Sequence, residues 1–227
     1  MDEFAISDVA AVAMLDEPTR RRLYEHVAHL AEPATRDEVA AALDLPRATV
    51  AFHLDRLVDE GLLETSYARR SGRSGPGAGR PAKLYRRSER TIQISLPERR
   101  YELAAQLLAA AVEDAQRDGV DPGTALERRA SVLGVERART VTAADHRERL
   151  LTILAAHGFE PDASGETIVF RNCPFHALAQ QHTQLVCHMA LWLVNGILDG
   201  AETPDMHARL CHVQDGCCVR ISPEPAP

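Results

Sequence analysis

Apolar residues recur at helical spacing in three short runs before residue 61. Asp16-Glu17-Pro18 supplies a cap and an early proline ahead of Thr19–Leu30, where Leu23, Val27 and Leu30 share one face. Thr35-Arg36-Asp37-Glu38 is a capping box, in which the threonine and glutamate satisfy each other's free backbone donors. It predicts a helix with Val39, Ala42 and Leu43 inward. Asp44-Leu45-Pro46 breaks the pattern, and a third helix follows with Val50, Leu54, Leu57 and Val58 inward, stopping at Gly61. Beyond Gly61 the period shortens. Leu62–Tyr67 and Lys83–Arg87 read as strands flanking the glycine-rich run Ser71-Gly72-Arg73-Ser74-Gly75-Pro76-Gly77-Ala78-Gly79.

The second half is more mixed. A long helical pattern runs from Glu98 to Arg117, with Tyr101, Ala104, Leu108, Ala111, Val112 and Ala115 apolar, and ends at Gly119. Helices are expected over Gly123–Leu133, Ala143–His157, Pro174–Gln181 and Thr183–Leu198. Two hairpins are expected, one turning at Ala163-Ser164-Gly165 and one at Gln214-Asp215-Gly216. The fold class is mixed α/β (α+β): a winged helix-turn-helix over 1–95, a linker or dimerisation helix over 96–119, and an α+β sensor domain over 120–227. The 96–119 helix serves either as a core helix or as a dimer helix that spaces two recognition helices.

Charge sharpens the first half. The chain carries a net −7, yet its first hundred residues hold 16 basic and 16 acidic side chains, so the excess acid lies in the remainder. Between Arg69 and Arg90 there are eight basic residues and one acid, a patch that attracts phosphates. Two helices joined by a tight turn, the second apolar on one side, read as helix-turn-helix. The solvent face of that second helix is expected to show Arg47, Thr49, Phe52, His53 and Arg56 to a major groove. Arg73, Arg80 and Lys83 are expected to contact DNA from the glycine-rich wing, with Arg80 suited to a narrow minor groove. The segments LDEPTRRRLYEHV, ATVAFHLDRLVDEGLL and GRPAKLY resemble bacterial winged-helix repressors of the ArsR/DeoR type. That resemblance implies a homodimer on double-stranded operator DNA.

Chemistry in the second half rests on sulfur. All five cysteines (Cys173, Cys187, Cys211, Cys217, Cys218) and five of the ten histidines fall between 173 and 218. An odd number in a reducing compartment argues against a disulfide framework and leaves metal binding, thiol redox chemistry or packing. No Cys-x-x-Cys knuckle occurs, which disfavours a zinc ribbon. Strand alternation places Cys217 with Val219 and Ile221, and Cys218 with Arg220. The segments NCPFHALAQQHTQLVC and GCCVRI resemble the C-terminal half of the iron–sulfur-sensing repressors of the SufR type, which control genes for cluster assembly. The resemblance implies a four-iron–four-sulfur cluster (4Fe-4S) whose occupancy sets operator affinity. By position it assigns Cys173, Cys187 and Cys217 as ligands. The family's third cysteine would fall near 198–201, where this chain has none, so the fourth ligand is open among Cys211, His212, His176 and Cys218. Zinc, thiol redox sensing or a small organic effector is the alternative.

Other classes fit poorly. No phosphate loop, nucleophile elbow or HExxH accompanies the cysteines, so an enzyme is not expected. No apolar run approaches the ~18 residues of a membrane span, and the start Met1-Asp2-Glu3-Phe4 lacks a signal-peptide pattern. A cytoplasmic protein is expected.

Overall fold

A computed structural model describes residues 3–68, 81–143, 145–211 and 216–223. The chain divides into two compact units, Met1–Ile94 and Ser95–Pro227.

The first unit runs α1 (Glu3–Ala13), a 3-10 turn (Met14–Asp16), α2 (Pro18–Ala28), β1 (Ala34–Thr35), α3 (Arg36–Leu43), α4 (Arg47–Asp59), β2 (Leu63–Ala68) and β3 (Ala82–Arg87). Local chemistry sets most of these boundaries. The Glu17 carboxylate accepts from the backbone N–H of Thr19 at 3.0 Å and of Arg20 at 2.7 Å, which starts α2 behind Pro18. These bonds hold the Glu17 carboxyl at about 2, below its usual range. The capping box forms as expected: Glu38 N–H donates to Thr35 Oγ1 (3.2 Å), and Thr35 N–H to Glu38 Oε2 (2.7 Å). Asp44 ends α3 in the left-handed region, and Gly61 does the same just after α4. The three strands form an antiparallel sheet in the order β1-β3-β2, with Leu63 opposite Arg87 and Ala34 opposite Tyr85. Leu23, Val27, Val39, Val50, Leu54 and Leu57 from α2, α3 and α4 meet Leu63 and Tyr85 of the hairpin in one core. Helix α1 was not apparent from the pattern. Among its described side chains it buries Ala11 but leaves Val9 and Val12 exposed, so these apolar residues do not share one face.

The second unit runs α5 (Tyr101–Asp118), α6 (Pro122–Arg139), α7 (His146–Ala156), β4 (Pro161–Asp162), β5 (Ile168–Phe170), α8 (His176–Gln181), α9 (Thr183–Gly200), β6 (Met206–Leu210) and β7 (Val219–Pro223). Helix α5 is a core helix of this unit, burying Ala104, Leu107, Ala111 and Ala115. It is clasped to α6 by Asp114, which accepts hydrogen bonds from Arg117 and Arg129, while Arg128 pairs with Asp118 at 2.8 Å. The Arg129 hydrogen bonds lead in holding the Asp114 carboxyl well below the ordinary range.

Helix α6 does not stop at Leu133 as the pattern suggested, and runs on through Gly134 to Arg139. A Cβ at Gly134 would stand 2.3 Å from the Leu193 carbonyl oxygen, and one at Gly196 would stand 2.1 Å from that of Ser131. Backbone therefore lies on backbone where α6 crosses α9. Gly200 continues the contact against Val135 and Ala138. The two expected hairpins also merge. Pairing of β5 with β7 (Ile168 opposite Ile221) joins them into one antiparallel sheet, β4-β5-β7-β6. Among the described residues no helix is long and apolar enough to cross a membrane.

Candidate nucleic-acid interface and cysteine centre

Helix α4 is the second helix of the helix-turn-helix. It buries Val50, Leu54 and Leu57 and turns Arg47, Phe52, Asp55 and Arg56 outward, with Thr49 partly exposed at the margin. Arg47 is not free on that face, because its guanidinium donates to Asp37 of α3 at 2.5 Å. Arg56 is exposed and makes no ion pair among the described residues. Phe52 is 59% exposed, unusual for a phenyl ring.

His53 corrects the sequence reading. Its side chain is 14% exposed and lies 3.7 Å, Nδ1 to Oε2, from Glu17 at the start of α2. One residue past Phe52 is a rotation of about 100° on a helix, enough to carry it from the outer face to the flank. There the imidazole packs edge-on against the Phe52 ring, with centroids 5.2 Å apart.

Lys83 and Asp55 form a contact that sequence reasoning missed. Lys83 Nζ donates to Asp55 Oδ1 at 2.6 Å, and the Tyr85 hydroxyl donates to the same oxygen at 2.9 Å. The second helix is thereby tied to β3. Burial opposes ionisation of Asp55, but the Lys83 and Tyr85 hydrogen bonds outweigh it and hold the carboxyl below its ordinary value. The same bond to Asp55 raises Lys83. No local signal could have shown this contact, since Asp55 and Lys83 meet only once the hairpin folds over α4. Arg73 and Arg80 lie outside the described residues.

In the second unit the cysteines come together in pairs. Cys173 sits in the loop before α8, which several hydrogen bonds fix. Asn172 Nδ2 donates to the carbonyls of Glu98 (2.9 Å) and Gly158 (2.8 Å). Arg99 donates to Asn172 Oδ1 and, at 3.0 Å, to the Cys173 carbonyl. Phe175, fully buried against Phe159, anchors the loop from below. Cys173 and Cys217 are buried free thiols in hydrogen-bond contact. The Cys217 thiol donates to Cys173, and with the Phe175 N–H and the Arg99 charge it brings Cys173 down to about 7 against the opposing effect of burial. The donor role, with burial, pushes Cys217 up.

The second pair, Cys187 at the start of α9 and Cys218 just before β7, is joined as a disulfide with Cα atoms 6.4 Å apart. The sequence reading expected thiols here. It missed this bridge because 31 residues of chain separate the two cysteines and only the packing of α9 against the sheet brings them together. Cys217 is buried with Val219 and Ile221, and Cys218 is half-buried with Arg220, as strand alternation requires. Cys211 reaches the group through its backbone, with its N–H donating to the Cys218 carbonyl at 2.7 Å. His176 is exposed on α8, and His212 lies outside the described residues.

Four cysteines from three separate stretches thus form two pairs, Cys173 with Cys217 and Cys187 with Cys218, linked through the adjacent residues Cys217 and Cys218. In kind, cysteine sulfur suits a thiolate-bound iron–sulfur cluster, and the lowered Cys173 thiol favours it, but Cys187 and Cys218 would serve as ligands only once their bridge is reduced. In arrangement they are paired: among the described residues no group of three His, Cys, Asp or Glu side chains converges to hold a metal ion.

A family model described as a helix-turn-helix domain matches residues 15–66, the span from the 3-10 turn through β2 up to Ser66. No curated protein and no solved structure matches the chain. The match, the capped tri-helical core and the hairpin after α4 make the first unit the helix-turn-helix domain of a DNA-binding transcriptional regulator.

Proposed function

We propose that the protein is a homodimeric transcriptional repressor whose operator affinity is set by the state of its C-terminal cysteine centre. The observation that carries this reading is the pairing of Cys173 with Cys217 and of Cys187 with Cys218, which links the α8 loop, α9 and the start of β7. A chemical event there acts on three elements at once. A ligand or bond that forms in one conformation only shifts the population by its differential free energy, and DNA affinity follows by linkage.

The occupant favoured by the resemblance in sequence is an iron–sulfur cluster on Cys173, Cys187 and Cys217. Cys218 is the preferred fourth ligand, because it touches Cys187, whereas His176 is exposed. When bound, such a cluster supplies an oxygen- and redox-sensitive cross-link between these elements. The chain's own part is to hold Cys173 ionisable through Cys217, Phe175 and Arg99, and to exclude water around it.

The Cys187–Cys218 bridge favours a second reading, thiol–disulfide control without a cluster. One experiment separates the two: anaerobic purification, an absorption spectrum with iron and sulfide analysis, then operator binding by loaded, reduced and oxidised protein. Equal iron and sulfide with a broad band near ~400 nm supports the cluster. Colourless protein whose DNA affinity changes with thiol reductant supports the disulfide. DNA affinity indifferent to both treatments removes the cysteine centre from regulation.

A further inference from the structure

Three cations stand on or beside the outer face of α4, and the structure sorts them. Arg47 is engaged by Asp37 and Lys83 by Asp55, while Arg56 makes no ion pair among the described residues. An arginine already spent on a carboxylate must break that bond before it can meet a base edge, whereas Arg56 has its whole fork available. Asp55 lies beside it on the same face, but Lys83 and Tyr85 occupy its carboxylate, so the face carries little repulsion toward DNA.

Phe52 lies one helical turn before Arg56 and is 59% exposed. Its ring is propped by the edge of His53, which is itself lodged against Glu17. A phenyl ring held outward on a helix-turn-helix face has one base feature to match, the thymine methyl group, because the other major-groove edges are polar. A four-residue separation rises about 6 Å along a helix, close to two base-pair steps of about 3.4 Å each.

Resting on the reading of this unit as a DNA-binding domain, we infer that Phe52 and Arg56 are its base-reading pair. Phe52 packs on a thymine methyl and Arg56 forks onto the O6 and N7 of a guanine within about two base pairs of it. Arg47 and Lys83 are positioning residues that brace α4 against α3 and β3.

The test is selection of binding sites from a random double-stranded oligonucleotide pool by the full chain, followed by affinity measurement on the selected site. Wild-type protein should enrich a guanine and a thymine at that spacing. Arg56→Gln should lose the guanine preference at one position, a discrimination of about tenfold or more, while Arg47→Gln keeps the selected sequence. Replacing the selected thymine by deoxyuracil removes only the methyl group and should weaken wild-type binding about fourfold, with no effect on Phe52→Ala.

An unchanged selected sequence for Arg56→Gln overturns the assignment. So does a uniform loss across all sequences with a shallower salt dependence, which is the mark of a phosphate contact. Deoxyuracil bound as well as thymine by wild type overturns the Phe52 half. Wild-type protein that binds no duplex at all would instead defeat the DNA-binding reading on which the pair depends.

Discussion

The two units place their chemistry in opposite ways. In the first, the candidate DNA-facing side chains stand outside on one of three short helices whose limits are set by neighbours in sequence: Glu17 and Pro18 for α2, the Thr35–Glu38 box and Asp44 for α3, and Gly61 just after α4. In the second, the reactive groups are buried, and each sulfur meets its partner only after distant elements have packed. A surface that must read a partner can be mounted on a locally determined helix. A centre that must respond to a small reactant needs shielding, and shielding comes from long-range packing. The contrast predicts that damage to the first unit will be modest and local, and damage to the second large and cooperative.

The largest effect should come from Gly196→Ala. A methyl group there meets the Ser131 backbone, which cannot rotate away as a side chain could. Separation of α6 from α9 should cost about 3 kcal/mol. Calorimetry should show the C-terminal transition shifted down with the N-terminal one unmoved. An unshifted transition would break the claim that close backbone packing holds this unit.

Next in size is Cys217→Ala, read by the pH dependence of Cys173 alkylation in reduced, metal-free protein. Cys173 is held at about 7 chiefly by the Cys217 thiol. Loss of that donor raises it toward the ordinary thiol range, so less thiolate exists at neutral pH. Labelling at pH 7 should slow about tenfold. An unchanged profile would mean that Phe175 and Arg99 suffice.

Smaller still is Thr35→Ala, which removes one half of the capping box. It should lower the stability of the first unit by about 1 kcal/mol without moving the second. Denaturation followed separately in each unit checks this. Smallest is the coupling between Asp55 and Lys83. Both are partly exposed and screened, so a double-mutant cycle with Asp55→Asn and Lys83→Met should return about 0.5 kcal/mol. A coupling near zero would leave β3 unattached to α4 through this pair in energetic terms.

Legibility followed the same division. The capping box, the break at Asp44–Pro46, the inner face Val50–Leu54–Leu57 and both strands of the first hairpin were readable, because each depends on contacts within a few residues. His53 was misread for a local reason, since helical spacing tells which residues share a face but not where the flank of a neighbouring helix begins. In the second unit the helices and turns were visible, but Gly134 was read as lying beyond the end of α6. An isolated glycine has no local signature that distinguishes a terminus from a close crossing.

The amino-acid sequence by itself determined the helix-turn-helix, the outward Phe52 and Arg56, and the crowding of cysteine into the last quarter of the chain, because capping, periodicity and composition act over short range. Tertiary structure alone decided that Asp55 engages Lys83, that β5 joins β7, and that Cys173 meets Cys217 while Cys187 meets Cys218. Those pairings depend on how α6, α9 and the sheets pack, a long-range outcome with no counterpart in the spacing of the residues.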